Sequence, residues 1–221
     1  MRRARPSGGA AAPRSPSSRL LSGLGTLMLL CGLGLGGYLA WELYGTDVVA
    51  GRAQDDLRER VVQAWADGEE AEPEVVLVRI PRFGPDWEKP VLTGLDDAAL
   101  DRSVGRDPDN AAPGEVGNLV LAGHRVTHGS PFRRFLDLRA GDVVEVETRD
   151  AVHTYRLRED GRRTRVDFSA SWPLQPVPEP GAGRERPSEA LLTLITCSEI
   201  FHTDDRSVVT GVLVETHPKT S

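Results

Sequence analysis

Between Leu20 and Trp41 the chain carries no charged residue and is mostly Leu, Gly and Ala. As a helix, that run spans roughly 33 Å, about one bilayer core. The pattern then turns amphipathic. Within Gln54 to Trp65, the residues Leu57, Val61, Ala64 and Trp65 share one helical face. This predicts a short juxtamembrane helix, followed by an acidic linker from Asp67 to Glu74. From Val75 onward the period shortens and β-branched runs alternate with turn residues. Strands are predicted at Val75 to Pro81, Trp87 to Leu95, Asn118 to His124, Asp142 to Thr148, Val152 to Arg158, Thr164 to Phe168, Thr193 to Cys197, and Arg206 to Val214. Asp96 to Asp101 reads as one helical turn capped by Asp96. Ser130 to Leu138 reads as a second helix, with a capping serine and Pro131 at its first position. Residues 104–118 and 173–189 read as loops, and the tail after Val214 as frayed. A mostly β fold follows: a closed or nearly closed mixed β-barrel of about eight short strands with brief helices, preceded by one N-terminal transmembrane helix.

Composition sharpens the topology more than the fold. The chain has 221 residues, enough for one medium domain with appendages, and its net charge of −6 gives no case for nucleic-acid binding. Arg2, Arg3, Arg5, Arg14 and Arg19 precede the apolar run, and no acid occurs before Glu42. The positive-inside rule then puts the N-terminus in the cytoplasm and the remainder outside the cell, a single-pass cell-membrane protein. A cleaved signal peptide is the rival reading. Against it, the run is long and ends among Tyr38, Trp41 and Tyr44, residues suited to a membrane interface. The expected organisation is a disordered basic tail (1–19), an anchor (20–41), a juxtamembrane helix and linker (42–74), and an extracellular domain (75–216).

That topology separates the two cysteines. Cys31 lies within the span and Cys197 outside, so they do not pair within one chain. Cys197 is left as a reactive thiol, an intermolecular bridge or an inert buried residue. It ends a strand-like run, and Arg206 opens the next. A thiol beside a fixed cation suits acyl transfer, because the cation favours both thiolate and oxyanion. His124, at the end of another strand, supplies an acid/base candidate. Taken singly, each has a plainer reading: a buried small side chain, a loop histidine, a surface charge. His124 and His128 are also spaced i, i+4, and Cys197 or His202 could join them around a metal. A zinc helix, however, wants a Glu after the first His, whereas Gly123 and Gly129 flank this pair and Arg125-Val126-Thr127 holds no acid. Glu115, Asp204 and Asp205 are too scattered for calcium. No metal and no cofactor is expected, and His153 and His217 receive no task.

Together the motifs carry a resemblance. "LAGHRVTHGSPF", followed by "TLITCSEIFHTDDR", resembles the signature of sortases, membrane-anchored cysteine transpeptidases of Gram-positive surfaces. "RIPRFG", "PGEVGN" and "LRAGD" also look like sortase segments, and the likeness spans roughly Val75 to Val214. The resemblance implies that Cys197 attacks the Thr–Gly carbonyl of a Leu-Ala-x-Thr-Gly or Leu-Pro-x-Thr-Gly sorting signal, forming a thioacyl-enzyme. It implies that His124 protonates the leaving amine and later deprotonates the incoming one, and that Arg206 steadies oxyanion and substrate. Thr196, His128 and Ile200 become groove candidates. The implied partners are secreted proteins bearing the signal, a peptidoglycan precursor or wall amine as acceptor, and the membrane through Leu20 to Trp41. Among sortases, the class E enzymes of actinobacteria look most similar. Where class E has Gly-His-Tyr-Pro-Gly-Thr, this chain has Gly105-Arg106-Asp107-Pro108-Asp109-Asn110, and Ser198-Glu199-Ile200 replaces the usual x-Pro-x after the cysteine. Alternatives are a pilin-polymerising sortase, a hydrolase sharing the same acyl-enzyme, and a non-catalytic sortase-fold binding module.

Overall fold

The computed structural model describes residues 16–41, 45–68, 76–183, 185–197 and 204–219. It divides into two units, Met1–Glu42 and Leu43–Ser221. The first contains helix α1 (Pro16–Ala40), whose segment Gly23–Ala40 is long and apolar enough to cross a membrane. Within that segment Leu24, Leu30 and Leu35 are exposed, and it has no protein cover among the described residues. A helix apolar all round and left uncovered suits a lipid environment.

The second unit is built on a barrel of short strands: β1 (Val76–Arg79), β2 (Glu88–Thr93), β3 (Val104–Arg106), β4 (Gly117–Ala122), β5 (Val143–Glu147), β6 (Ala151–Leu157), β7 (Thr164–Asp167), β8 (Ala190–Cys197) and β9 (Asp205–Pro218). Their order is β6-β5-β1-β2-β3-β4-β8-β9, and a β6–β9 pairing closes the ring. Eight strands thus make the barrel, while β7 lies beyond β9 and pairs with it alone. The β2–β3 and β4–β8 pairings are parallel and the rest antiparallel. Alternation along each strand fills the interior. Leu119 and Leu121 of β4, Leu192 and Leu194 of β8, and Val209 of β9 meet Phe132, Phe135, Leu138 and Tyr155 in one core. The Tyr155 hydroxyl accepts the Gly114 backbone N–H at 2.8 Å, and burial pushes its pKa up to about 12.

Helix α2 (Thr46–Ala66) is longer than the amphipathic stretch suggests. Its apolar face does not float above the barrel. Leu57 and Val61 are buried against Leu77, Leu92 and Ala99, with Trp65 alongside. Arg58 pairs with Glu88 of β2 at the same contact, and Lys219 sits 4.2 Å from the Trp65 ring centroid. Helix α3 (Asp97–Leu100) is capped as its sequence predicts, the Asp96 side chain accepting the Ala99 N–H at 3.1 Å.

The departures from expectation have local causes. Strand β3 lies inside the stretch read as a loop. It is only three residues long and carries Gly105, whose α-carbon approaches the Gly94 carbonyl so closely that a Cβ would sit 2.3 Å from it. Ser130 does not cap a helix. Its φ of 42° is left-handed, and the chain continues through turns to a single 3₁₀ turn at Phe135–Asp137. The burial expected of Phe132, Phe135 and Leu138 is nonetheless met. The C-terminal tail does not fray after Val214, because Thr216, His217 and Pro218 still pair with β6.

Candidate active site

The site forms where β4, β8 and β9 lie side by side. Pleat alternation turns Leu192 and Leu194 into the core, and so turns Ile195 and Cys197 to the opposite face of the wall. Arg206 is the cross-strand partner of Cys197, and directly opposed residues project to the same side. On the other flank, Ala122 is level with Ile195 in the parallel β4–β8 ladder. Continuing that register two residues sets His124 level with Cys197. Three neighbouring strands therefore bring a thiol, an imidazole and a guanidinium to one edge.

Hydrogen bonds carry the alignment past the end of β4. The Gly123 N–H donates to the Ile195 carbonyl at 3.2 Å, and the Thr196 hydroxyl returns a bond to the Gly123 carbonyl at 2.7 Å. Arg125 then donates its Nε–H to the Cys197 carbonyl at 2.8 Å. Gly123 leaves little room for a side chain, since a Cβ would lie 3.1 Å from the Phe132 ring. Thr196 is only 3% exposed. Its hydroxyl is committed to the histidine segment, so any influence on substrate passes through the backbone it holds. Cys197 is half-buried and free of disulfide. Arg206 lies with its Cζ 4.6 Å from the centroid of the exposed Phe168 ring, a cation–π contact that restrains the guanidinium. Ile200 and His202 fall outside the described residues.

The surroundings of His124 were not foreseen. His128 packs beside it, ring centroids 4.9 Å apart at 34°. Asp101, from the turn after α3, places its Oδ1 3.4 Å from His124 Nε2 and 3.5 Å from His128 Nε2. Burial is the main cause holding the His124 pKa below the usual histidine range, reinforced by His128 and opposed by Asp101. His124 is thus mostly neutral near pH 7, and imidazolium is a minor form. Asp101, Arg125 and Phe168 are the additions that sequence reading missed. Asp101 had one available signal. Strand β3 runs antiparallel to β4, so residues just before Val104 must lie beside residues just after Ala122. Reading β3 as loop concealed that neighbour.

A family profile for the sortase domain matches residues 78–214, which takes in the whole barrel except the first two residues of β1 and the end of β9. The chain belongs to the sortase family. It is similar to sortase SrtE1 of Streptomyces coelicolor, 31% identical over 230 aligned residues that cover 98% of this chain and 62% of that relative. The chain thus spans less than two thirds of the length of that relative. Among solved structures it resembles sortase E of Streptomyces avermitilis, with TM-score 0.57 and 34% identity over 65% of this chain and 89% of that one. The SrtF sortase of Corynebacterium diphtheriae superposes with TM-score 0.60 at 27% identity, covering 66% and 86%. Class E sortases are therefore its recognisable kin, and its closed mixed barrel is the sortase fold.

Proposed function

We propose that this chain is an active, membrane-anchored class E transpeptidase acting on Leu-Ala-x-Thr-Gly or Leu-Pro-x-Thr-Gly sorting signals. The observation carrying this reading is the register that sets Cys197 opposite Arg206, with the Gly123 hydrogen bonds to β8 leading His124 toward the same edge. The Cys197 thiolate attacks the threonine carbonyl, and the carbonyl electrons move to oxygen, where Arg206 offsets the charge. Collapse expels the glycine amine, which takes a proton from the His124 imidazolium and leaves a thioester on Cys197. A wall amine or peptidoglycan precursor then gives its proton to the neutral imidazole and attacks the thioester. The new amide forms and the thiolate returns. The depressed His124 basicity suits the second half-reaction, in which a neutral base must be waiting, and makes the first depend on the minor charged form. A guanidinium suits the oxyanion role because it stays charged at every relevant pH.

Helix α1 supports the anchoring part of the reading. With five arginines before the apolar run that starts at Leu20, the basic tail would stay in the cytoplasm and the barrel would face the wall. Asp107 accepts hydrogen bonds from the Asp109 N–H at 3.0 Å and the Asn110 amide at 2.9 Å, so the altered Arg106–Asn110 segment is a self-stabilised turn. The test is transfer by the full-length protein in detergent, using both peptide signals with glycine and diaminopimelate-type amines. An amide product from one signal and one amine supports the reading. Cleavage to free threonine acid with every amine would instead assign a hydrolase.

A further inference from the structure

Asp101, His124 and His128 converge on a single small volume, and the mechanism uses only one of them. Each offers one ligand atom, and the three atoms all lie within 4.8 Å of one another. The two edges to Asp101 measure 3.4 and 3.5 Å. A tetrahedral zinc with bonds of about 2.1 Å requires ligand atoms about 3.4 Å apart, so both edges already match. His124 Nε2 is buried and makes no hydrogen bond among the described residues. Asp101 Oδ1, 3.4 Å away, is the polar atom facing it, and an ion between the two would satisfy both. His128 has the outer-sphere contact that metal-binding histidines need, its Nδ1 lying 3.0 Å from the Thr127 hydroxyl. The tautomer in which Nδ1–H donates to that hydroxyl leaves the Nε2 lone pair on the side of Asp101, 3.5 Å away. A left-handed turn at His128 (φ 55°) and Gly129 (φ 77°) folds this ring back over His124.

We propose that Asp101, His124 and His128 form a transition-metal site, and that Zn²⁺ bound there reversibly switches off acyl transfer. Two imidazoles and one carboxylate suit zinc or ferrous-type ions and reject calcium or magnesium, which take oxygen ligands. Three protein ligands leave a fourth position for water, and the partial exposure of all three side chains provides an entry path. The glycine-flanked His124–His128 pair lacks an acid of its own, and Asp101 supplies it from another part of the chain. Binding itself is independent of catalysis. Only the switch rests on the transpeptidase reading: a metal held on His124 Nε2 keeps the ring from becoming the imidazolium that protonates the leaving amine.

The test is titration of the metal-stripped, full-length protein in detergent with Co²⁺, then displacement by Zn²⁺ followed calorimetrically. We expect one ion per chain, with the visible bands of tetrahedral Co²⁺ and no sulfur charge-transfer band. Cys197→Ala should bind as wild type does. His128→Gln and Asp101→Asn, each checked for an unchanged far-UV spectrum, should weaken Zn²⁺ by at least about tenfold. Zn²⁺ should suppress amide transfer in step with occupancy, and a chelator should restore it. Absent stoichiometric binding, equal affinity in both variants, or loss of binding in Cys197→Ala would overturn the site. Full occupancy with undiminished transfer would overturn the switch while leaving the transpeptidase standing. A chain inactive even when metal-free would fail the functional reading but leave the binding result intact.

Discussion

Arg125 shows how much a single side chain can do for chemistry it does not perform. Its Nε–H reaches the Cys197 carbonyl at 2.8 Å, tying the histidine segment to the end of the nucleophile strand. A hydrogen bond from a charged donor contributes about 1.5–3 kcal/mol. Arg125→Met should therefore lower the urea midpoint by up to that amount and, because the bond holds the nucleophile's strand end, lower kcat/KM of the still-folded protein by about tenfold or more. Peptide-transfer kinetics beside a denaturation curve would separate the two. A second residue-scale prediction concerns His153, which is buried against Gly114 with Nδ1 3.1 Å from the Thr216 hydroxyl. Burial lowers its pKa in the folded state. Its contribution to stability is thus present above the unfolded value of about 6.5 and lost as pH falls through the folded value. Wild type should lose more stability than His153→Gln between neutral and mildly acid pH, as read by urea midpoints. Cys197, His124 and Arg206 were singled out as strand-end residues, and only the sortase-like motifs around them made them a set, since each alone had a plainer reading. Asp101, Arg125 and Phe168 were not, since their significance depends on neighbours distant in sequence.

At the scale of elements, α2 is a working part of the folded unit. Leu57 is buried where the helix meets β1 and β2, so Leu57→Ala should destabilise by about 2–3 kcal/mol. Val62, on the exposed face of the same helix, should tolerate alanine within about 0.5 kcal/mol. Thermal or urea unfolding of the two variants checks the contrast. Gly105 makes the corresponding case for β3. A methyl group there would press on the Gly94 carbonyl and the Leu100 side chain, and Gly105→Ala should cost about 1–3 kcal/mol. The apolar stripe of α2 was readable from its 3.6-residue period, but its docking partner was not, because Leu77, Leu92 and Ala99 come from three other segments. Strand β3 escaped detection for a different reason. Three residues are too few for a period of two to emerge, and glycine weakens the strand signal. The Ser130 segment misled in the opposite direction: a serine, a proline and spaced aromatics imitate a helix start, while the left-handed φ at Ser130 rules one out.

For the whole molecule, β9 is the strand on which closure and chemistry meet. Its first half pairs with β8 and presents Arg206 to Cys197, and its second half pairs with β6 and closes the ring. The bulge at Thr154/Tyr155 and the side-chain-free surface of Gly211, where a Cβ would lie 3.0 Å from the Arg156 carbonyl, accommodate the change of partner. Eight of the nine strands were legible from β-branched runs and turn spacing, and the closed or nearly closed barrel followed from their number. The extent of β9 was not, since the polar residues from Glu215 onward carry no strand pattern of their own. Because the same ladder serves both purposes, the account stands on one chemical event at its edge. The most direct measurement is intact-protein and peptide mass spectrometry of the full-length chain after brief exposure to a sorting-signal peptide without acceptor amine. The account predicts an adduct with the mass of the acyl fragment ending in threonine, located on Cys197, discharged by added amine, and absent in Cys197→Ala. An adduct on another residue, or none on a folded protein whose Cys197 still reacts with a thiol reagent, would contradict it.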